Sequence, residues 1–242
     1  MPEAVTLLPL LIVTALVAYL VGSIPFGIVM ARLFGLGDLR KIGSGNIGAT
    51  NALRTQGAAF ALGVLLIDVL KGVVAVLVVP GLPWPFPGAA GVPVTTVAYG
   101  CGVMVALGHC YPVFHRFQGG KGVATLAGVF ACLLPAAIGW MLAAFALVVM
   151  LTGYVSLATL TASLVAVLHI ACFGAEGLWS MTGAFGIAMA TLVVWKHRSN
   201  VRALAAGTEH RFEKARVLGE GVDVATQGIL DHNRSPSRKG GE

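Results

Sequence analysis

The stretch from residue 122 to residue 172 reads GVATLAGVFACLLPAAIGWMLAAFALVVMLTGYVSLATLTASLVAVLHIAC and contains no Asp, Glu, Lys or Arg. Between Lys121 and Lys196 the chain carries a single charged residue, Glu176. A water-soluble domain could not cover its surface with so few charges, because about a quarter of the residues in such domains are charged. The stretch therefore predicts several membrane helices whose outer surface faces lipid.

The composition and charge pattern of the whole chain agree with this prediction. Hydrophobic residues make up 57% of the 242 residues, charged residues 11%, and the net charge is +6. The basic residues concentrate in short loops beside apolar runs: Arg32, Arg40, Lys41, Arg54, Arg116, Lys121, Lys196, Arg198, Arg202 and Arg211. This is the positive-inside pattern of membrane proteins, so we predict that these loops are cytoplasmic and that the charge does not serve nucleic acid. The loops around 80–92 and 173–177, which lack Lys and Arg, are predicted to lie outside.

The number of spans follows from length and parity. A helix needs roughly 20 residues to cross a membrane, and about 17 is the practical minimum. Spans are expected at about 4–33, 58–79, 94–107 and 178–195. The interval 122–172 must hold an odd number of crossings, and three short ones, with breaks near Pro135 and Ser156, bury its apolar residues better than one. We therefore predict an all-α polytopic membrane domain over residues 1–217, with seven helices, the amino end outside and the carboxyl end cytoplasmic. Residues 218–242, rich in Gly, Ser and charge, are predicted to be a disordered tail.

The first cytoplasmic loop offers many hydrogen-bond donors. From residue 43 to residue 54 it reads GSGNIGATNALR. Its G-x-G-x-x-G pattern matches dinucleotide-binding loops, but here it lies between membrane helices rather than after a strand. Glycines expose backbone N–H groups, and Ser44, Asn46, Thr50, Asn51 and Arg54 add side-chain donors suited to phosphate. We predict an anion site in which Ser44 and Arg54 are catalytic and Asn46, Thr50 and Asn51 bind substrate. A flexible polar loop is the alternative.

The second loop also combines glycines with a basic residue. From residue 108 it reads GHCYPVFHRFQGGKG. Gly119 and Gly120 free backbone N–H groups beside Lys121, which begins the charge-free interval. The loop is not a Walker A loop, because Gly122 stands where Ser or Thr should follow the lysine. We predict a catalytic role for Lys121 and substrate contacts for His109, Gly119 and Gly120. A positive-inside anchor is the alternative reading of Lys121.

The third cluster follows the last predicted span. His197 and Asn200 are three residues apart and share a helix face if that helix continues. His197 could position a hydroxyl or move a proton, and is predicted to be catalytic. Asn200 and Glu209 are predicted to bind substrate. A helix end that snorkels its charges to the interface is the alternative.

One pair of ionisable residues lies within a predicted span. Asp68 and Lys71 are three residues apart in the second span. Ionisable residues in membrane helices are costly and are usually paired or functional. We predict that they form an ion pair facing the helix bundle.

In order and spacing, the three clusters resemble the cytoplasmic motifs of the bacterial acyl-phosphate:glycerol-3-phosphate acyltransferase family. The resemblance runs from about Gly22 to Phe212 and includes Gly22–Pro25 and Asp68–Gly72. It implies a seven-helix enzyme of the inner membrane whose active site faces the cytoplasm. The enzyme would transfer a fatty acyl group from acyl phosphate to the 1-hydroxyl of glycerol 3-phosphate, the first step of phospholipid synthesis, giving lysophosphatidic acid and phosphate. Its partners would be these two substrates and membrane lipid, with no cofactor, metal or obligatory protein partner.

The sequence offers a separate check on the acyl donor. Many glycerolipid acyltransferases use H-x-x-x-x-D, but no acidic residue stands five positions after any histidine here, and no G-x-S-x-G elbow occurs. The chain thus lacks an obvious activated nucleophile, which an acyl phosphate would not need. The main alternative function is a transporter for a phosphorylated solute. Such transporters often contain two related halves, and the loops at 43–48 and 119–122 show no such repeat. A structural membrane partner would not need three polar clusters on one side.

Overall fold

The computed structural model describes residues 2–86 and 92–218, with side chains from residue 8 onward. The described chain folds into helices joined by short turns. These are α1 (Pro2–Ser23), α2 (Phe26–Leu33), α3 (Ala49–Gln56), α4 (Ala58–Leu77), α5 (Val94–Cys110), α6 (Val123–Leu133), α7 (Pro135–Thr152), α8 (Val155–Phe173), α9 (Met181–Lys196) and α10 (Arg198–Ala205). The tail predicted to be disordered lies, from residue 219 onward, outside the described residues.

The fold is that of an all-helical polytopic membrane protein, as predicted. Five helical segments in the described ranges are long and apolar enough to span a bilayer: Leu8–Leu33, Ala58–Gly81, Val94–His115, Pro135–Thr152 and Val155–Phe173. Two shorter apolar helices, Val123–Leu133 and Met181–Lys196, accompany them. Three helices begin in the interval 122–172, with breaks at Leu134 and at Gly153–Tyr154, close to the predicted positions; two of the three, α7 and α8, are long enough to span a bilayer, and the third crossing stays a prediction.

Proline and glycine set the breaks between these helices. Pro135 occupies the first turn of α7 and has no N–H with which to continue α6. Gly153, with φ of +74°, ends α7 in the left-handed conformation that glycine adopts readily. The first span differs from the single helix that we expected, because it is interrupted between α1 and α2 at Pro25. The second segment, α2, leads the chain into the first polar loop.

Glycines allow the central helices to approach closely. A side chain at Gly22 of α1 would collide with the backbone of α5 at Val105, and one at Gly108 of α5 would collide with α1. In the same way, Gly128 of α6 lies against the backbone of α4 at Val69. Small residues at such crossings are how membrane helices gain packing energy where lipid offers no hydrophobic drive. The resulting bundle of α1, α4, α5 and α6 carries the first two polar loops.

Gly128→Ala should destabilise this bundle. The added methyl group would meet the backbone of α4 rather than a movable side chain, and overpacking of this kind costs about 1–3 kcal/mol. Gly139→Ala is the matched control, because a side chain at Gly139 of α7 would enter open space. In detergent, thermal unfolding should occur at a lower temperature for Gly128→Ala and at an unchanged or higher one for Gly139→Ala. Equal unfolding temperatures for the two variants would contradict the close crossing of α4 and α6.

Candidate active site

A buried polar cluster joins α4, α5 and α6 beneath the loops. The ammonium Nζ of Lys71 lies 2.7 Å from Asp68 Oδ1 and 2.7 Å from His109 Nδ1. The hydroxyl of Thr125 lies 3.2 Å from the same imidazole nitrogen. All four residues are at most 5% exposed. The ion pair predicted for Asp68 and Lys71 is confirmed, and because the ammonium donates to it, Nδ1 of His109 acts as an acceptor.

The second loop packs on this cluster through its two glycines. The N–H of Gly120 donates to the carbonyl of His109 over 3.1 Å. A side chain at Gly119 would collide with that carbonyl, and one at Gly120 would collide with Nε2 of the His109 ring. The imidazole is therefore enclosed by Lys71, Thr125 and the loop. These contacts give His109 a structural role, and the substrate contact expected from the sequence stays a prediction.

The same loop leaves several backbone donors free. Within the described chain, the N–H groups of Gly119, Lys121 and Gly122 have no acceptor. Gly122 adopts φ of +83° and immediately precedes α6. The first N–H groups of α6 add the positive end of a helix dipole. Free amides, a helix amino end and the Lys121 ammonium together form an arrangement suited to a phosphate group.

In the first loop, Asn51 holds the backbone in place. Its amide nitrogen lies within hydrogen-bonding distance of the carbonyls of Leu39, Ile42 and Asn46, at 3.0, 3.1 and 2.8 Å. Its amide oxygen accepts from the N–H of Ser44 over 2.8 Å. Asn51 is 2% exposed, and both hydrogens of its amide nitrogen are used by carbonyls of the loop. Asn51 therefore has a structural role in the loop, and its predicted substrate contact stays a prediction.

The other polar side chains of the first loop differ in whether they form hydrogen bonds within the protein. The side chain of Asn46 accepts from the N–H of Gly48 over 3.0 Å, a local turn. Ser44 and Thr50 are exposed, and their hydroxyls make no hydrogen bond within the described residues. Thr50 and Arg54 are four residues apart on α3 and share one helix face. The loop thus presents two free hydroxyls and one guanidinium.

Arg54 links the first loop to the segment that follows α10. Its guanidinium carbon lies 5.8 Å from the centre of the Phe212 ring. Its Nε is buried and has no hydrogen-bond partner among the described residues. Burial lowers the pKa of Arg54, and the nearby carboxylate of Glu209 opposes that shift. A buried guanidinium nitrogen without a protein acceptor is suited to an anionic ligand.

A chain of hydrogen bonds connects the second and third clusters. Lys121 Nζ donates to Asn200 Oδ1 over 2.6 Å, and Asn200 Nδ2 donates to Glu209 Oε1 over 2.8 Å. The same carboxylate oxygen accepts from the hydroxyl of Ser156 over 3.0 Å. Sequence reasoning missed Ser156, a buried residue in the first turn of α8. Its only sequence signal is a hydroxyl inside an otherwise apolar run, and that signal predicts a helix break near this position.

The pKa values of two residues of the site, Lys121 and His197, are lowered. Burial lowers the pKa of Lys121; Glu209 opposes this shift, and Arg54 adds to it. Burial and then the charge of Lys121 lower the pKa of His197 to about 4. The imidazole is therefore neutral at neutral pH. Its Nδ1 donates to the carbonyl of Val193 over 2.8 Å, which leaves Nε2 as a free acceptor.

The predicted residues are thus partly brought together. Arg54, Lys121, His197, Asn200 and Glu209 are joined by direct bonds or by mutual electrostatic interaction. The hydroxyls of Ser44 and Thr50 lie on the same loop and helix as Arg54. The arrangement can bind phosphate groups, and the neutral imidazole can accept a hydrogen bond from an alcohol.

Known proteins are similar to this chain in sequence and in fold. A family model described as glycerol-3-phosphate acyltransferase matches residues 12–207. A glycerol-3-phosphate acyltransferase of Agrobacterium fabrum is 44% identical over 206 residues, which cover 84% of this chain and 92% of that protein. One from Thermus thermophilus is 42% identical over 214 residues, covering 87% of this chain and 96% of that protein.

Solved structures give the same result. The crystal structure of PlsY, an integral membrane glycerol 3-phosphate acyltransferase, in its glycerol 3-phosphate form is similar with a TM-score of 0.74 at 36% identity, covering 86% of this chain and 98% of that one. Its lysophosphatidic acid form is similar with a TM-score of 0.72 at 33% identity, with the same coverage. With both sequence and fold shared over most of its length, the chain belongs to the family of integral membrane glycerol-3-phosphate acyltransferases.

Proposed function

We propose that the acyl donor is an acyl phosphate and that the acceptor is the 1-hydroxyl of glycerol 3-phosphate. The hydroxyl oxygen attacks the acyl carbon, and the bond between that carbon and the phosphate oxygen breaks. The products are lysophosphatidic acid and inorganic phosphate. The relatives whose structures hold glycerol 3-phosphate and lysophosphatidic acid support this choice of acceptor and product.

The observation that carries the proposal is the contact between Lys121 and Asn200, which joins the second loop to α10 and so brings two of the polar clusters into one site. Both substrates carry a phosphate, so the site needs two sets of anion donors. The free amides beside Lys121 and the guanidinium of Arg54 supply them. The hydroxyls of Ser44 and Thr50 supply neutral donors at the edge of the site. Asn200 and Glu209 hold the Lys121 ammonium in place.

The state of His197 bears on how the proton leaves the hydroxyl. Because its pKa is lowered to about 4, neutral His197 is a weak base. Its free Nε2 can accept a hydrogen bond from the glycerol hydroxyl and aim the oxygen at the acyl carbon. The departing phosphate of the donor carries oxygens that can take the proton. Catalysis then consists mainly of positioning and of stabilising negative charge.

The donor can be tested with purified protein. With glycerol 3-phosphate as acceptor, palmitoyl phosphate should support turnover and palmitoyl-CoA should not, because neither the sequence nor the site provides a carboxylate-oriented histidine base open to substrate. One inorganic phosphate should appear for each lysophosphatidic acid formed. Comparable rates with the thioester would show that the donor is not restricted to acyl phosphate.

We further propose seven crossings, with the amino end outside and the site on the cytoplasmic face of the bacterial inner membrane. The five long spans and the two shorter apolar helices together support seven. The basic residues that flank the site support the cytoplasmic side. The absence of Lys and Arg around 173–177 supports an external turn between α8 and α9.

Single cysteines test this topology. In a variant whose four native cysteines are replaced by alanine, Gln118→Cys would mark the second loop, and Glu176→Cys would mark the turn before α9. Both positions are exposed. In intact cells, a membrane-impermeant maleimide should label position 176 at once and position 118 only after the membrane is permeabilised. Labelling of position 118 in intact cells would place the site on the opposite side.

A further inference from the structure

The residues after α10 form a strap, 207–218, that crosses to the end of α7. Backbone N–H groups of Phe212 and Leu218 donate to the carbonyls of Gly153 and Met150, over 2.9 and 3.0 Å. The guanidinium of Arg211 donates to the carbonyl of Thr152 over 2.9 Å. The last carbonyls of a helix have no partner within the helix. The strap supplies those partners, so it is a fixed part of the bundle rather than a loose extension.

This docking fixes two side chains over the site. Glu209 accepts hydrogen bonds from Asn200 and Ser156. Phe212 turns the face of its ring towards the Arg54 guanidinium, whose carbon lies 5.8 Å from the ring centre. The ring of His210 packs edge-on against the ring of Phe212, with 4.7 Å between the two ring centres. The strap therefore brings an aromatic ring against the cation of the first loop.

The guanidinium of Arg54 would gain from such support, because no hydrogen bond or ion pair within the described residues holds it. Its buried Nε has no hydrogen-bond partner in the described chain, and none of the ion pairs found there includes Arg54. A long side chain held by no bond samples many rotamers, and ordering it on substrate binding costs free energy. An aromatic ring at cation–π distance restricts the guanidinium while leaving its N–H groups free for a ligand.

We propose that Phe212 is a positioning residue that orients the Arg54 guanidinium for substrate phosphate, with the strap as its support. The match to the family model ends at residue 207, so this ring lies beyond the matched region. The inference rests on the phosphate-binding role proposed for Arg54. A ring that only preorganises a binding group strengthens binding of the phosphate substrate without changing the chemical step.

Steady-state kinetics of purified variants test the proposal. Phe212→Leu should raise KM for the phosphate substrate that Arg54 holds by about three- to fivefold, with kcat little changed. Phe212→Tyr should keep wild-type KM, because the ring face is retained. Phe173→Leu is the matched control, since Phe173 also packs on a histidine ring but lies at the far end of α8. It should leave KM unchanged.

A double-mutant cycle separates positioning from structural support. In an Arg54→Lys background, which lacks the planar guanidinium, Phe212→Leu should have no further effect on KM. If Phe212 only stabilises the fold, Phe212→Leu will lower the unfolding temperature and the active fraction equally in both backgrounds, and the proposal is overturned. If Arg54→Ala itself retains wild-type efficiency, the phosphate role of Arg54 fails, which is a different result from an additive cycle.

A second variant serves if Phe212→Leu does not fold. Gly153→Ala adds a methyl group at φ of +74° that would press on Arg211 and the Phe212 carbonyl. It should displace the strap and raise the same KM while the Phe212 ring is still present. An unchanged KM in a folded Gly153→Ala protein whose strap is shifted would also overturn the proposal.

Discussion

Arg54→Ala should lower kcat/KM by about 10- to 150-fold. A hydrogen bond from a charged donor contributes about 1.5–3 kcal/mol, which corresponds to that range. The buried Nε of Arg54 has no protein acceptor among the described residues, so its donors are available to a substrate phosphate. The measurement is kcat/KM of purified protein with acyl phosphate and glycerol 3-phosphate varied in turn.

The replacement Arg54→Lys should rescue little of this loss. Lysine keeps the charge but loses the planar fork that binds two phosphate oxygens at once, and its ammonium packs less well on the Phe212 ring. Arg202→Ala is the control, because Arg202 is an exposed cation of α10 in the same basic region. It should change kcat/KM by less than twofold, roughly the size expected of a surface substitution. Near wild-type efficiency of Arg54→Ala would mean that the phosphate site lies elsewhere.

The sequence could predict the membrane helices because lipid imposes a simple rule on composition. A backbone in the bilayer must satisfy its own hydrogen bonds, so a charge-free run must be divided into whole helices. The division at Pro135 followed from that rule and from the missing proline N–H. The interruption of the first span at Pro25 follows the same chemistry, but the uniform hydrophobicity on both sides concealed it.

The candidate site could be predicted only to the level of its loops. Which polar group faces a ligand depends on contacts between distant residues. Glu209 meets Ser156 across 53 positions, and Lys121 meets Asn200 across 79. Asn51 has the composition of a ligand-binding amide, yet its carbonyl partners in the same loop consume its donors. No local pattern distinguishes these two uses of an amide side chain.

His109 shows the same limit for a titratable group. Its position beside the glycine-rich loop made it a natural candidate for a substrate contact. In the fold the imidazole lies inward, where the ammonium of Lys71 contacts both its Nδ1 and the carboxylate of Asp68. Gly119 and Gly120, which the sequence marked as sources of free N–H groups, leave room for His109, and the N–H of Gly120 is taken up by the His109 carbonyl. The buried ion pair in α4 thereby fixes the position of the second loop, to which we assign part of the proposed phosphate site.

Asp68→Ala should therefore be among the most damaging substitutions outside the loops. It would leave the Lys71 ammonium charged and buried, with the imidazole of His109 as its remaining polar partner among the described residues. Removing one partner of a buried ion pair costs about 3–5 kcal/mol, because the other charge stays uncompensated. The expected result is a large fall in the unfolding temperature in detergent, together with loss of activity as the second loop loses its support.

The double variant Asp68→Ala with Lys71→Met distinguishes the cost of an orphaned charge from the value of the pair. Methionine fills the space of the lysine stem without a charge, and buried ion pairs replaced by apolar residues are often close to neutral in stability. The double variant should recover most of the unfolding temperature lost by Asp68→Ala. Its activity should recover less, because His109 then lacks the donor that fixes the imidazole against Gly120. If Asp68→Ala alone were as stable as the wild type, the ion pair would not be what holds α4, α5 and the second loop together.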